Sequence, residues 1–358
     1  MPKKRCLTSK NRKVYIHLCA LRSFMRYFQG VPSQGTYVLD LVDKKVLNCL
    51  DENARQSYSQ IARKCRISRD KAEYRIKNLE KAGVIQGYRT VVDITQFGYQ
   101  PYHVFLQLKR PKEKVEKELT AKFKQYPFMR AVIKYSGKYD YELALIAKTI
   151  KELDKILDRL LEDCEKYIQS YDVLILTEQI VGRTLPRAFY PKSPGIHFHD
   201  QAYQAKISQI DVSIISEISQ DPLKTNIAIG KKIKLSHDAV TQRIKNLTKS
   251  GVIKRFIPAL NYASLSYTVY CVLLRAGGAR CNNSKIRELL DQDENVIWAV
   301  KTVGRYDLIV YVCIDETSQL HDTVNKLRNY FPDQILEYEV LLAYEEYKYT
   351  YFTDYVQL

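Results

Sequence analysis

Arg75-Ile76-Lys77-Asn78-Leu79 reads RIKNL, and Arg243-Ile244-Lys245-Asn246-Leu247 reads RIKNL again, 168 positions later. Working outward at that offset, Asp43 matches Asp211, Ile61 matches Ile229, Ser68 matches Ser236 and Gly83-Val84-Ile85 matches Gly251-Val252-Ile253. Further on, Gly137-Lys138-Tyr139-Asp140 matches Gly304-Arg305-Tyr306-Asp307 at an offset of 167. An offset this constant over so long a span marks a duplicated unit. Around the first RIKNL, Ala72, Ile76 and Leu79 form one helical stripe that Ser68 can cap and Gly83 can end. Ser57 can cap a shorter helix carrying Ile61 and Ala62, and Val42, Val46, Leu47 and Leu50 give another before it. Ile210, Ile214, Ile215 and Ile218, then Thr225, Ile229, Ser236, Val240, Ile244 and Leu247 repeat the pattern. Two short helices joined by a tight turn make a helix-turn-helix, whose second helix fits the major groove of DNA.

The remainder of each copy reads strand, helix, strand, strand, helix, strand. In the first copy these are residues 102–108, 112–125, 131–135, 141–147, 149–167 and 171–177. The second copy has strands over 267–274, 296–302, 308–314 and 337–344. This order predicts an α+β chain in which each winged-helix-like helix-turn-helix domain is followed by a ferredoxin-like βαββαβ domain. The sheet face without helices is expected to pack on the other sheet. The expected units are a basic extension (1–37), helix-turn-helix 1 (38–100), ferredoxin-like domain 1 (101–185) and a linker (186–205). Helix-turn-helix 2 (206–262) and ferredoxin-like domain 2 (263–358) follow.

The chain has 358 residues and a net charge of +17. The excess is concentrated: residues 1–39 carry +8, 40–90 carry +5 and 206–257 carry +6, so a polyanion such as double-stranded DNA is the expected partner. The extension, with Phe24-Met25-Arg26-Tyr27-Phe28, reads as a nucleic-acid-binding arm or as a product of where translation is taken to start. No run of 18 apolar residues occurs, so no spanning helix and no membrane partner is expected. Eight cysteines without Cys-x-x-Cys spacing point to reduced thiols and a cytoplasmic setting. His197, His199 and Asp200 are the nearest approach to a metal-binding cluster and lack further ligands, so no metal and no cofactor is expected.

The Asp43…Ser57…Ser68…Arg75-Ile76…Leu79…Gly83-Val84-Ile85 pattern, with Gly137-x-Tyr139-Asp140 after it, resembles the leucine-responsive regulatory protein/AsnC (Lrp/AsnC) family of prokaryotic transcription regulators. The likeness covers residues 39–180 and 207–346. Family members ordinarily carry one copy, and this chain departs by carrying two. The resemblance implies sheet domains that pair into dimers and an amino acid or similar small molecule as effector.

Helical geometry turns Asp70, Tyr74, Lys77 and Lys81 outward in copy one, and Asp238, Gln242 and Lys245 in copy two. The residues expected to meet DNA are Ser68, Arg69, Lys71, Tyr74, Arg75, Lys77, Ser236, His237, Thr241, Gln242, Arg243 and Lys245. Gln242 can pair with adenine, whereas Lys77, Lys245, Arg75 and Arg243 suit phosphates. The plainer alternative is a solvated face on a domain that no longer binds. Gly137, Tyr139, Asp140, Gly304, Tyr306 and Asp307 read either as hairpin turns or, as the family implies, as an effector pocket. Trp298 reads as core.

Two further classes stay open: a DNA-free small-molecule sensor and an enzyme. Sirohaem decarboxylases are similar in their two-part design. They are expected to show an arginine-rich stretch after the third helix and an Asn-Ala-Met stretch on the first sheet strand. Here those places read Gly87-Tyr88-Arg89-Thr90 and Tyr102-His103-Val104-Phe105, and only His103 offers acid/base chemistry. No nucleophile triad or phosphate loop is found, so the chain is expected not to be an enzyme. The closing expectation is a covalent pseudo-dimer, with two unlike recognition helices on one molecule. Opposite charges of +3 on residues 91–205 and −5 on 258–358 favour pairing of unlike domains.

Overall fold

A computed structural model describes residues 37–109, 112–190, 206–276, 283–331 and 335–358. Copy one runs α1 (Leu41–Glu52), α2 (Tyr58–Cys65), α3 (Arg69–Lys81), β1 (Ile85–Val92), β2 (Gln100–Leu108), α4 (Glu113–Gln125), β3 (Met129–Ser136), β4 (Tyr141–Ala147), α5 (Ile150–Cys164) and β5 (Ile168–Gly182). Copy two runs α6 (Gln209–Gln220), α7 (Asn226–Ile233), α8 (His237–Lys249), β6 (Ile253–Leu260), β7 (Thr268–Ala276), α9 (Asn283–Gln292), β8 (Val296–Val303), β9 (Leu308–Ile314), α10 (Thr317–Tyr330) and β10 (Ile335–Tyr349). Most of the basic extension, residues 1–36, and most of the linker, residues 191–205 with His197, His199 and Asp200, lie outside the described residues.

Each four-stranded sheet has the ferredoxin-like order, β5-β2-β4-β3 and β10-β7-β9-β8, and together they close into one eight-stranded barrel. The closure explains why β5 and β10 outrun the 171–177 and 337–344 read from the sequence. Beyond its own sheet each strand continues onto an edge of the other copy, β5 on β8 from Ile175↔Val303 to Gly182↔Trp298, and β10 on β3 from Leu342↔Ser136 to Tyr349↔Ala131. Closing a sheet removes its exposed edges. The inward side chains, among them Phe105, Leu174, Cys271, Leu273, Ile309 and Leu341, form an apolar interior between the copies. The charge difference between the sheet domains is carried on one continuous structure.

The helical domains share a single core. β1 and β6, the strands that follow the third helices, pair antiparallel with each other, from Ile85↔Leu260 to Val92↔Ile253. Ala54 N–H at the end of α1 donates to Phe256 O of β6 (2.8 Å), and Thr90 of β1 donates to Ile218 O of α6. Val46, Leu47, Ile76 and Leu79 of copy one thus lie in the same cluster as Ile214, Ile215, Val240 and Leu247 of copy two. The start of the expected linker is packed rather than free. Phe189 and Tyr190 are buried in this core, and Tyr190 OH donates to Asp51 Oδ2 (2.6 Å). Phe352 and Val356 occupy the corresponding place after β10.

Candidate nucleic-acid interface

Capping and sterics set each recognition helix. Arg66 and Lys234, at φ of 57° and 59°, end α2 and α7 in the left-handed region. That conformation folds the chain back sharply enough to start the next helix. Ser68 and Ser236 then accept from Lys71 N–H and Ala239 N–H (both 3.2 Å), so each third helix begins on a satisfied amide. Ala72, Ile76 and Leu79 are buried under α3, and Val240 and Leu247 under α8.

The opposite faces meet solvent. Ser68, Arg69, Lys71, Tyr74 and Lys77 are exposed, as are Ser236, His237, Thr241, Gln242 and Lys245. Tyr74 is a large ring left 65% exposed. Lys77 Nζ meets Glu73 at 2.8 Å, a contact that raises the lysine and lowers the glutamate from their usual ranges. Arg69 stands 3.2 Å from Asp70 and 3.5 Å from Glu73. In copy two Gln242 donates to Asn246 Oδ1 (2.8 Å), Thr241 to His237 O (2.8 Å), and His237 Nδ1 lies 3.0 Å from Asp238. These exposed pairs are weak enough for a polyanion to replace.

Arg75 and Arg243 differ from the other ten. Arg75 is half-buried, 2.7 Å from Asp40 and 3.2 Å from Asp43, and Arg243 stands 2.8 Å from Asp211. Burial disfavours the charge on Arg75, but Asp43 and Asp40 more than offset it and raise its pKa. Both arginines, expected from the sequence to meet phosphates, are held by carboxylates of their own domain in the DNA-free chain. Each guanidinium ties a third helix to the start of its first helix, which accounts for the repeated Asp43/Asp211.

Residues 58–81 hold eight basic and three acidic side chains, and residues 226–249 six and one, so each helix-turn-helix carries +5. The two are also braced. Arg55 donates to Pro222 O and Asn226 Oδ1 (2.7 Å each) and lies 5.3 Å from the Phe256 ring.

The Gly-x-Tyr-Asp turns meet across the barrel. Tyr139 and Tyr306 are fully buried with their hydroxyls 3.2 Å apart. Tyr139 donates to Asp172 (2.5 Å), and Lys138 bridges Tyr306 and Glu337. Asp140 and Asp307 accept from Leu108 N–H and Ala276 N–H (2.7 Å each). A Cβ on Gly304 would come within 2.6 Å of Val173 O. These side chains are engaged within the protein.

Sequence reasoning missed a second polar cluster. Glu142 is fully buried inside the barrel, accepts from Tyr135 (2.5 Å) and Tyr311 (2.6 Å), and stands 2.6 Å from His103 Nδ1. Burial disfavours the carboxylate, but His103 and the two hydroxyls hold it below the usual range. Trp298, expected in the core, is partly buried against the barrel interior and stacked on His103 at 5.9 Å. One acid inside the apolar run Tyr141–Ala147 was the available signal.

A model of winged helix-turn-helix DNA-binding domains matches residues 39–86 and 207–254. The HTH-type transcriptional regulator Ptr1 of Methanocaldococcus jannaschii is 31% identical over 120 residues, 34% of this chain and 80% of that protein. LrpC of Bacillus subtilis, also an HTH-type transcriptional regulator, is 25% identical over 125 residues, 35% of this chain and 86% of its own. Among solved structures, the siroheme decarboxylase NirDL aligns over 88% of this chain and 94% of its own, with a TM-score of 0.57 and 14% identity, a likeness of fold alone.

Proposed function

Since the chain belongs to the Lrp/AsnC family of DNA-binding transcription regulators, in a tandem-duplicated form, we propose that it acts as a covalent pseudo-dimer that reads two unlike DNA half-sites. The observation that carries this reading is the shared core under two solvent-facing helices that differ at equivalent positions. Arg69 stands where copy two has His237, Lys71 where it has Ala239, Glu73 where it has Thr241 and Tyr74 where it has Gln242. In this reading Lys77, Lys245, Arg69 and Lys71 neutralise phosphates, and Tyr74, Thr241 and Gln242 meet base edges. Ser68, Ser236 and His237 complete the contacts at the helix starts. The sheet domains join the copies and transmit a small effector, an amino acid or similar molecule. The domain limits given above, with a linker that begins only after Tyr190, and a cytoplasmic setting belong to the same proposal. We read the chain as a non-enzyme, a reading supported by relatives that are named as regulators.

The experiment is a mobility-shift titration of the full chain on DNA sites selected in vitro. Binding should weaken steeply between about 50 and 200 mM salt, because phosphate contacts release counterions. Lys77→Ala with Lys245→Ala should reduce the slope of log affinity against log salt by about 2 and weaken all sequences alike. A salt-independent affinity contradicts the reading.

A further inference from the structure

A cavity of about 330 Å³ opens into one end of the barrel, between the two copies and beside the β1–β6 pair. That is the size of a small-metabolite pocket. Its walls combine two kinds of group. Trp298, Tyr311 and His103 supply flat faces, with Trp298 and Tyr311 rings 5.0 Å apart. Titratable side chains supply the rest, and all but one have a partner within ion-pair distance. Asp93 stands 3.0 Å from Lys254, Glu142 2.6 Å from His103, and Glu178 2.6 Å from Arg287. The exception is Arg130. Its Nε donates to Thr350 O (3.3 Å) and its guanidinium lies 5.6 Å from the Tyr351 ring. Among the described residues no carboxylate lies within ion-pair distance of it, and desolvation lowers its pKa.

Arg130 is partly buried, Asp93 acts on it only from beyond ion-pair distance, and a carboxylate in the fork geometry that arginine prefers would give it a direct partner. The duplication sharpens the point. At the pseudo-equivalent positions Arg130 is replaced by Ile297, His103 by Cys271, Glu142 by Ile309, Trp298 by Ala131 and Tyr311 by Ala144, all buried. Ala131 and Ala144 line the same cavity, so its polar and aromatic groups come unequally from the two copies: Arg130, His103 and Glu142 from the first, Trp298 and Tyr311 from the second.

We propose that this cavity binds one small organic carboxylate per chain, with its acid on Arg130 and a flat apolar or aromatic body against Trp298 and Tyr311. The inference deepens the effector part of the function proposed above and rests on it only for the regulatory consequence. The site lies apart from the Gly-x-Tyr-Asp turns.

Trp298 is the only tryptophan of the chain, so its emission reports occupancy directly. The full chain, free of DNA, is titrated with phenylacetate, and with benzyl alcohol as an uncharged match. A saturable change is expected, with phenylacetate half-saturating at a concentration at least about tenfold lower than benzyl alcohol. Arg130→Gln should weaken phenylacetate by about tenfold and leave benzyl alcohol unchanged, with Arg130→Lys between. The acid–alcohol comparison needs no variant and stands if Arg130→Gln fails to fold. Equal affinities, or no saturation with phenylacetate, overturn the proposal. A chain that shifts DNA but ignores phenylacetate loses this inference and keeps the regulator reading. One that binds phenylacetate but no DNA does the reverse.

Discussion

Glu337 joins the two copies where the Gly-x-Tyr-Asp turns meet, and replacing it by glutamine tests how firmly that junction holds the barrel. Its Oε1 receives Arg305 at 2.8 Å and Lys138, from the other copy, at 2.9 Å. These hydrogen bonds, Arg305 foremost, hold the carboxyl at about 2 against 4.5 for a free glutamate. At 1.36 kcal/mol for each tenfold change in acid strength, the ceiling on its contribution is about 3.4 kcal/mol. The side chain is 24% exposed. Solvent screening brings the expected loss in Glu337→Gln to about 1–2 kcal/mol at neutral pH. Because the folded value is depressed, this stabilisation is fully present above about pH 4.5 and is lost as pH falls toward 2. Urea denaturation of both proteins across that range is the assay. The gap between them should be widest at neutral pH and should close in acid. A gap below about 0.5 kcal/mol at neutral pH, or one that persists unchanged to about pH 3, refutes the reasoning.

Three further outcomes are expected. Gly304→Ala should cost about 2–4 kcal/mol in thermal denaturation, because φ is +148° and the new Cβ meets Val173 O at 2.6 Å, an atom of the backbone. Gly87→Ala, at φ +156° with open space around it, should cost only about 1–2 kcal/mol of backbone strain, and equal losses at the two sites would contradict the steric account. Arg55→Ala removes both hydrogen bonds to copy two and the Phe256 contact, and should destabilise the paired helical domains by about 1–3 kcal/mol in urea. Gln242→Ala should relax base preference at one position while leaving the salt slope of DNA affinity unchanged, read by selection and mobility shift.

Much of the fold was legible because repetition and period are local signals. The RIKNL repeat located both recognition helices, and the stripe Ala72/Ile76/Leu79 gave their orientation correctly. What stayed hidden depends on contacts distant in sequence. The pairing of β1 with β6 and the overrun of β5 and β10 are set by the other copy, more than 100 residues away. Arg75 and Arg243 sit at the edge of the helical stripe, where period alone does not tell a phosphate contact from an ion pair inside the domain. The ion-pair partners, Asp43 and Asp211, lie 32 residues upstream. The cavity was invisible for a similar reason. Arg130, His103, Glu142, Trp298 and Tyr311 come from five strands of two copies and converge only when the barrel closes.

The central claim is that one chain supplies both recognition helices of a functional unit. Light scattering of the purified chain on its in-vitro-selected site, with footprinting of the same complex, tests it most directly. The account predicts one chain per site and a footprint over two half-sites of different sequence, spaced about one helical turn apart. Two chains on a perfect palindrome, with each chain protecting a single half, would contradict it.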